Sequence, residues 1–325
     1  MAVFGFIGTG NMGGALATAA AKSVGGENLI LSNRTPEKAK ALAEALGAKS
    51  GSNSDAVKAD YILIGVKPQM MAGLFEEIAP MLQSRNEKGE RFVLVTMAAG
   101  LTMEKIQTLS GLEKVPVIRI MPNTPASIGQ GVVLYDSINT VEEELSVFLS
   151  AFQAAGLLQP LPENLIDAGS AVSGCGPAFV YLFIEALADG GVECGLPRAA
   201  ALRLAAQTLI GSASLVLESG KHPGQLKDEV CSPGGTTIAG VHALEKGGFR
   251  ALAMDAVKAA YDKTRGLKSR KRPAFDAGKS VRRGAILLWI IRGSYGRRNV
   301  HGRHRNVHGR RRYALPSGGC NSRRC

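Results

Sequence analysis

The stretch Ala2 to Leu16 reads AVFGFIGTGNMGGAL: a short apolar run of strand character leads straight into G-x-G-x-x-G at Gly8, Gly10 and Gly13, and an Ala-rich helix pattern starts at Asn11. A glycine triplet alone is a weak signal. Between a strand and a helix it is specific, because the first glycine permits the tight turn, the second lets backbone approach a pyrophosphate, and the third lets the helix pack on the sheet. The N-terminal N–H groups of that helix then face the anion. A glycine-rich turn without a ligand is the alternative reading.

Working outward, "NLILSN", "DYILIGVKP", "RFVLVTMAAG" and "VPVIRIMPN" are further apolar runs of strand length, and "TPEKAKALAEALG" is a helix punctuated by Pro36 and Gly47. Near-continuous apolar strands separated by helices predict a parallel sheet covered on both faces. The fold class expected is therefore an α/β, Rossmann-like, doubly wound parallel sheet followed by an all-α C-terminal domain. From Ile166 to Arg265 no strand pattern is visible, and Gly190–Gly191, Gly195 with Pro197, Gly220 with Pro223, Pro233 to Gly235 and Gly247–Gly248 divide the segment into helices. Its longest helix pattern, "PRAAALRLAAQTLIGSASLVLESG", is apolar over much of its circumference, which suits a helix lying between other helices or between subunits. The expected divisions are residues 1–162, a dinucleotide-binding domain; 163–266, a helical substrate-binding and dimerisation domain; and 267–325, a basic low-complexity tail expected to be disordered.

The 325 residues carry a formal charge of +12, and its location matters. From Gly266 onward 17 Lys and Arg face the single acid Asp276, whereas the preceding 265 residues hold 22 basic and 26 acidic side chains. The body is mildly acidic and the basicity belongs to the tail, where Arg-Asn-Val-His-Gly-Arg occurs twice, at Arg298 and Arg305. A nucleic-acid contact is thus expected only if that tail is functional. Five cysteines, an odd number with no C-x-x-C pair, argue against a disulfide framework, and no metal site is expected. No apolar run near eighteen residues was evident, so a soluble protein without membrane contact is expected. With no signal-peptide pattern at its start, the chain is assigned to the cytoplasm.

About 20 residues past the glycines, an acid would accept hydrogen bonds from the adenosine ribose of NAD. Here the second strand ends "LSNRTPEK", without an acid before Glu37. Arg34 can pair with a 2′-phosphate, and Asn33 and Thr35 can donate to it. NADP(H) is preferred on this reading, with NAD(H) as the second cofactor; a merely solvated Arg34 is the alternative. Gly or Pro also follows the later strands at "GVKP", "MAAG" and "MPNTP", and in an open parallel sheet all three line one crevice. Lys67 either balances phosphate or substrate charge there or is simply solvated.

A second glycine-rich helix start, "VCSPGGTTIAGVHALEKGGF" from Val230 to Phe249, exposes more backbone than a cap requires. Glycine N–H groups at a helix start form a concave donor site for a carboxylate. Taken with "GFIGTGNMG", "GVKP", "RIMPNTP", "SGCGPAF" and "GLPR", it resembles the pyrroline-5-carboxylate reductase family from Val3 to about Arg265. The resemblance implies hydride transfer from a reduced nicotinamide to the C=N carbon of 1-pyrroline-5-carboxylate, giving proline. It also implies a substrate site in the helical domain completed by a second subunit, as a homodimer that in the family often assembles further into decamers.

On this reading the substrate-binding set is Ser232, Gly234, Gly235, Thr236, Thr237, Ser173 and Gly174, with the Thr237 hydroxyl meeting the ring nitrogen as the catalytic group. The cofactor set is Gly8, Gly10, Asn11, Met12, Gly13, Asn33, Arg34, Asn53, Val66, Lys67, Pro68, Ala98, Ala99, Gly100 and Asn123. Cys175 and Cys231 stand where serine is common in the family, and the tail has no counterpart in it. A protonated imine already carries its activating charge and needs mainly orientation, so the absence of an evident base fits; His222 and His242 are read as structural. A β-hydroxyacid dehydrogenase, the nearest rival, would need lysine where this chain has Val180. A nucleic-acid-binding protein acting through the tail would need more aromatic interleaving than Trp289, Tyr295 and Tyr313 provide.

Overall fold

The computed structural model describes residues 1–269, and for 267–269 only the backbone; the expectations for the basic tail lie otherwise outside the described residues. In chain order the first part contains β1 (Phe4–Ile7), α1 (Asn11–Val24), β2 (Leu29–Ser32), α2 (Pro36–Leu46), β3 (Lys49–Ser50), α3 (Asn53–Ala56) and β4 (Tyr61–Ile64). There follow α4 (Met71–Glu87), β5 (Val93–Thr96), α5 (Met103–Ser110), β6 (Val117–Pro122), β7 (Gly131–Ile138), α6 (Glu142–Phe152) and β8 (Gly156–Pro160). The strands form one sheet in the order β3-β2-β1-β4-β5-β6-β7-β8, so the reversal of winding falls between β1 and β4. Every adjacent pair is parallel except β6 with β7, so the expected parallel sheet is parallel with one antiparallel pair.

Alternation along β1 divides the core. Phe4 and Phe6 point to the side covered by α1 and α6, where they meet Leu16, Phe148 and Phe152. Ile7 points to the other side, with Ile62, Ile64, Phe75, Ile78 and Ile106. Gly5 lies on that second face because α3 sits directly on it; a Cβ there would strike the Ala56 carbonyl. The Tyr61 ring stacks on Phe4 at 4.8 Å, and its hydroxyl donates to the Glu144 carbonyl at 2.8 Å, tying β4 to the start of α6.

Beyond Pro160 the described residues contain only helices: α7 (Glu163–Ser173), α8 (Gly176–Glu193), α9 (Arg198–Ser219), α10 (Pro223–Glu229), α11 (Thr236–Lys246) and α12 (Phe249–Ser269). The break expected at Gly190–Gly191 is absent; α8 runs through both, and Gly191 packs against Ala201 of α9, where a larger side chain would crowd the crossing. α7 is fastened to the sheet by charge. Fully buried Arg119 on β6 donates to Asp167 at 2.8 Å and to Glu163 at 3.3 Å, while the Glu163 N–H donates to Asp136 on β7 at 2.6 Å.

The helical part is otherwise thinly buried in one chain. Its fully covered apolar residues after α7 are Ala188, Ala201 and Ala205. The expectation that no long apolar run exists is corrected: residues 163–193 and 198–219 are long and apolar enough, by length and composition, to cross a membrane. Interleaved Ala and Gly dilute the visual pattern, yet the mean hydropathy stays at 1.5 and 1.4.

Candidate active site

The carboxyl ends of the central strands are aligned. Ile7 lies level with Ser32 of β2 and Ile64 of β4, and Ile64 lies level with Thr96 of β5. The next residues, Gly8, Asn33, Gly65 and Met97, therefore leave the sheet along a single edge, at the reversal of winding, which is where open α/β sheets take their ligands. Gly8 takes φ +98°, a conformation that side chains resist, and its N–H donates to the Ser32 carbonyl at 2.9 Å. Cβ atoms on Gly13 or Gly65 would fall on the Gly8 carbonyl oxygen, so the loop, α1 and the end of β4 touch through backbone alone.

Gly10 is different: nothing lies within 4 Å of where its Cβ would stand. The α1 helix begins immediately after it, and no side chain caps that start. Thr9 between the two glycines has a buried hydroxyl without a hydrogen-bond partner. Open space, uncapped helix N–H groups and an orphaned hydroxyl together fit a pyrophosphate-bearing cofactor. Thr9 was missed in the sequence because the glycine pattern treats its position as unspecified.

The remaining predicted cofactor residues lie on the same edge. Asn11 and Met12 open α1; Val66, Lys67 and Pro68 follow β4; Ala98, Ala99 and Gly100 follow β5. Arg34 and Lys67 are exposed, and Asn33 is half-buried. Asn53, the first residue of α3, accepts from the Ser32 hydroxyl at 2.6 Å and donates to both carboxylate oxygens of Glu77 on α4 at 3.1 Å. Asn123, just past β6, has its side-chain oxygen accepting from Val132 N–H and its amide donating to the Ser173 carbonyl, both at 2.9 Å. That second bond brings the end of α7, with Ser173 and Gly174, to the crevice.

The second glycine-rich motif sits at the start of α11. Gly234 takes φ +68° and Gly235 is the residue before the helix, with no side-chain cap on the first turn. The extra Ser and Thr side chains are thus not used as caps. Ser232, Gly234, Thr236 and Thr237 are all exposed in the single chain. A Cβ on Gly235 would fall on the Ser232 hydroxyl. His222 precedes α10, where its Nδ1 accepts from the Gly224 N–H at 3.1 Å, a capping role. Cys175 and Cys231 are half-buried free thiols. Among the described residues no three metal-ligating side chains come together.

Against known proteins, residues 163–267 match the family profile described as pyrroline-5-carboxylate reductase dimerisation, and residues 3–99 match one described as NADP oxidoreductase coenzyme F420-dependent. Pyrroline-5-carboxylate reductase from Pisum sativum is 42% identical over 268 residues, covering 81% of this chain and 95% of the relative. Pyrroline-5-carboxylate reductase 2 from Homo sapiens is 39% identical over 276 residues, covering 82% of this chain and 83% of the relative. Among solved structures, the Plasmodium falciparum pyrroline carboxylate reductase with NADP bound superposes with a TM-score of 0.71 at 33% identity, covering 82% of this chain and 98% of that one.

Proposed function

Because the chain belongs to the pyrroline-5-carboxylate reductase family and reduces the C=N bond of 1-pyrroline-5-carboxylate to proline with NADP(H), we propose that its strand-end crevice binds the cofactor and that the α11 start binds the substrate. The bound cofactor supplies the hydride. The chain's own part is orientation: Gly8, Gly10, Gly13 and the start of α1 take the pyrophosphate, and Arg34 with Asn33 takes the 2′-phosphate. The Gly235 N–H is taken by the Ser232 carbonyl at 3.0 Å, so the N–H of Gly234 and the uncapped N–H groups of the first turn of α11 receive the substrate carboxylate beside Gly235, and the Thr237 hydroxyl hydrogen-bonds the ring nitrogen, holding the protonated imine carbon toward the crevice. Ser173 and Gly174, held by Asn123, border the same space.

The observation carrying the substrate reading is the start of α11, which no side chain caps and around which Gly234, Thr236 and Thr237 are exposed. That exposure also supports a homodimer in which a second subunit closes the site, with the apolar faces of α8 and α9 at the interface. We place the division between the two parts at 162/163, where β8 has ended and α7 begins. Higher assembly to a decamer is part of the same proposal.

The test is NADPH oxidation with 1-pyrroline-5-carboxylate by Thr237→Val, which keeps the branched shape and removes the hydroxyl. A lost hydrogen bond to a charged group costs about 1.5 to 3 kcal/mol, so kcat/KM for the substrate should fall roughly ten- to a hundred-fold with NADPH binding and melting temperature unchanged. Wild-type turnover and substrate affinity would assign the hydroxyl to the helix alone.

A further inference from the structure

No acid follows β2 before Glu37. The structure brings an acid to that corner from elsewhere. Glu77, exposed on α4, is 24 residues from Asn53 and receives both of its amide hydrogen bonds at 3.1 Å. Asn53 in turn accepts from the hydroxyl of Ser32, the last residue of β2, at 2.6 Å. Asn33 and Arg34 follow immediately.

The direction of this relay is fixed by its far end. An ionised carboxylate can only accept, so Glu77 compels Asn53 to turn its NH2 outward to α4 and its oxygen inward to β2. The Ser32 hydroxyl, facing that oxygen, must give its proton to it. Ser32 is itself buried, so what remains near the end of β2 is the negative charge that Asn53 holds there. Such a corner suits a donor, the 2′-hydroxyl of an unphosphorylated ribose, and opposes an acceptor-only dianion, the 2′-phosphate that Arg34 would otherwise draw in. We propose that Glu77 is the selectivity residue that offsets Arg34, its charge held beside the end of β2 by Asn53, restraining the preference for NADP(H) and keeping NAD(H) usable. This deepens the assignment of the crevice as the cofactor site and rests on it.

The test compares binding of 2′,5′-ADP and 5′-AMP by calorimetry to the full chain, wild type and Glu77→Gln, alongside KM for NADPH and NADH. Removing a unit charge beside a bound dianion in water-like dielectric should raise the 2′,5′-ADP to 5′-AMP affinity ratio several-fold, an effect that shrinks with added salt. The KM ratio should move with it. An unchanged ratio, or equal weakening of both fragments, would overturn the proposal and leave Glu77 a structural partner of Asn53. If neither fragment binds the wild-type protein, the crevice assignment itself fails and takes the proposal with it. Glu77→Ala controls for the relay: it should match Glu77→Gln in the ratio, and a wild-type ratio there would also overturn the assignment.

Discussion

Strand β4, Tyr-Ile-Leu-Ile, and helix α9, twenty-two residues dominated by Ala and Leu, are both rich in apolar side chains, yet β4 is wholly buried whereas α9 buries only Ala201 and Ala205. Ile210 and Leu217 of α9 are 59% and 81% exposed. The contrast teaches that an apolar segment declares a need for cover without saying which chain supplies it. The sheet supplies its own, from helices on both faces. The helical region matches a dimerisation profile over its length, and the proposed partner is what would supply its cover.

The sharpest way to break this contrast is to charge the uncovered face. Ile210 and Leu217 lie seven residues apart on the side of α9 opposite the Ala201–Ala205 seam with α8, so Ile210→Glu with Leu217→Glu leaves the intrachain packing alone. Ultracentrifugation should then report monomers, with activity lost by more than about a hundred-fold, since charges buried at an interface cost several kcal/mol each. A retained oligomer with full activity would mean this face is open to solvent. The join between the regions comes next. Arg119→Leu removes the guanidinium that the buried Asp167 carboxylate meets at 2.8 Å and should cost about 3 to 5 kcal/mol in denaturant unfolding. Adding Asp167→Leu should recover most of the loss; no recovery would show that packing around Arg119, rather than charge, holds α7 to the sheet.

Two smaller effects belong to the sheet region and should leave the oligomer untouched. Arg34→Asp should raise KM for NADPH roughly ten- to a hundred-fold, with little change for NADH, as expected for a lost pairing with phosphate; equal effects on both would remove Arg34 from the cofactor site. The smallest is at Tyr61, whose phenol is pushed up to about 12 by burial and then by the Glu144 and Asp60 carboxylates. The folded chain keeps a proton that the unfolded chain releases near pH 10, so this contribution is whole below pH 10 and is lost as pH rises toward 12. Tyr61→Phe should flatten the alkaline decline in stability over that window, and an unchanged slope would deny the coupling.

Local rules made the first half of the sheet and the glycine motifs readable. β1, β2, β4, β5 and β6 are short apolar runs ending on the residues that must turn. β7 and β8 were not identified because β7 mixes Asp136 and Ser137 into a half-buried strand and β8 is largely exposed. The glycine pair at 190–191 looked like a break, yet a close helix crossing can require glycine without ending the helix. The polar links of the site were invisible for another reason: Arg119 to Asp167 spans 48 residues and Asn53 to Glu77 spans 24, and no periodicity announces such pairs. Family resemblance identified Asn53 without indicating what holds it.

Gly10 carries a practical consequence. Its neighbours in the loop are locked against backbone, but the space beside Gly10 is empty and its φ of −73° is one that any residue adopts. A valine there should therefore fold as the wild type does while filling the room proposed for the pyrophosphate. The expected result is a separation-of-function subunit, blind to cofactor but still able to take its seat beside an intact copy. Mixed assemblies built from Gly10→Val and Thr237→Val chains would then reveal, by intragenic complementation, whether one subunit's crevice serves its own α11 motif or that of its neighbour.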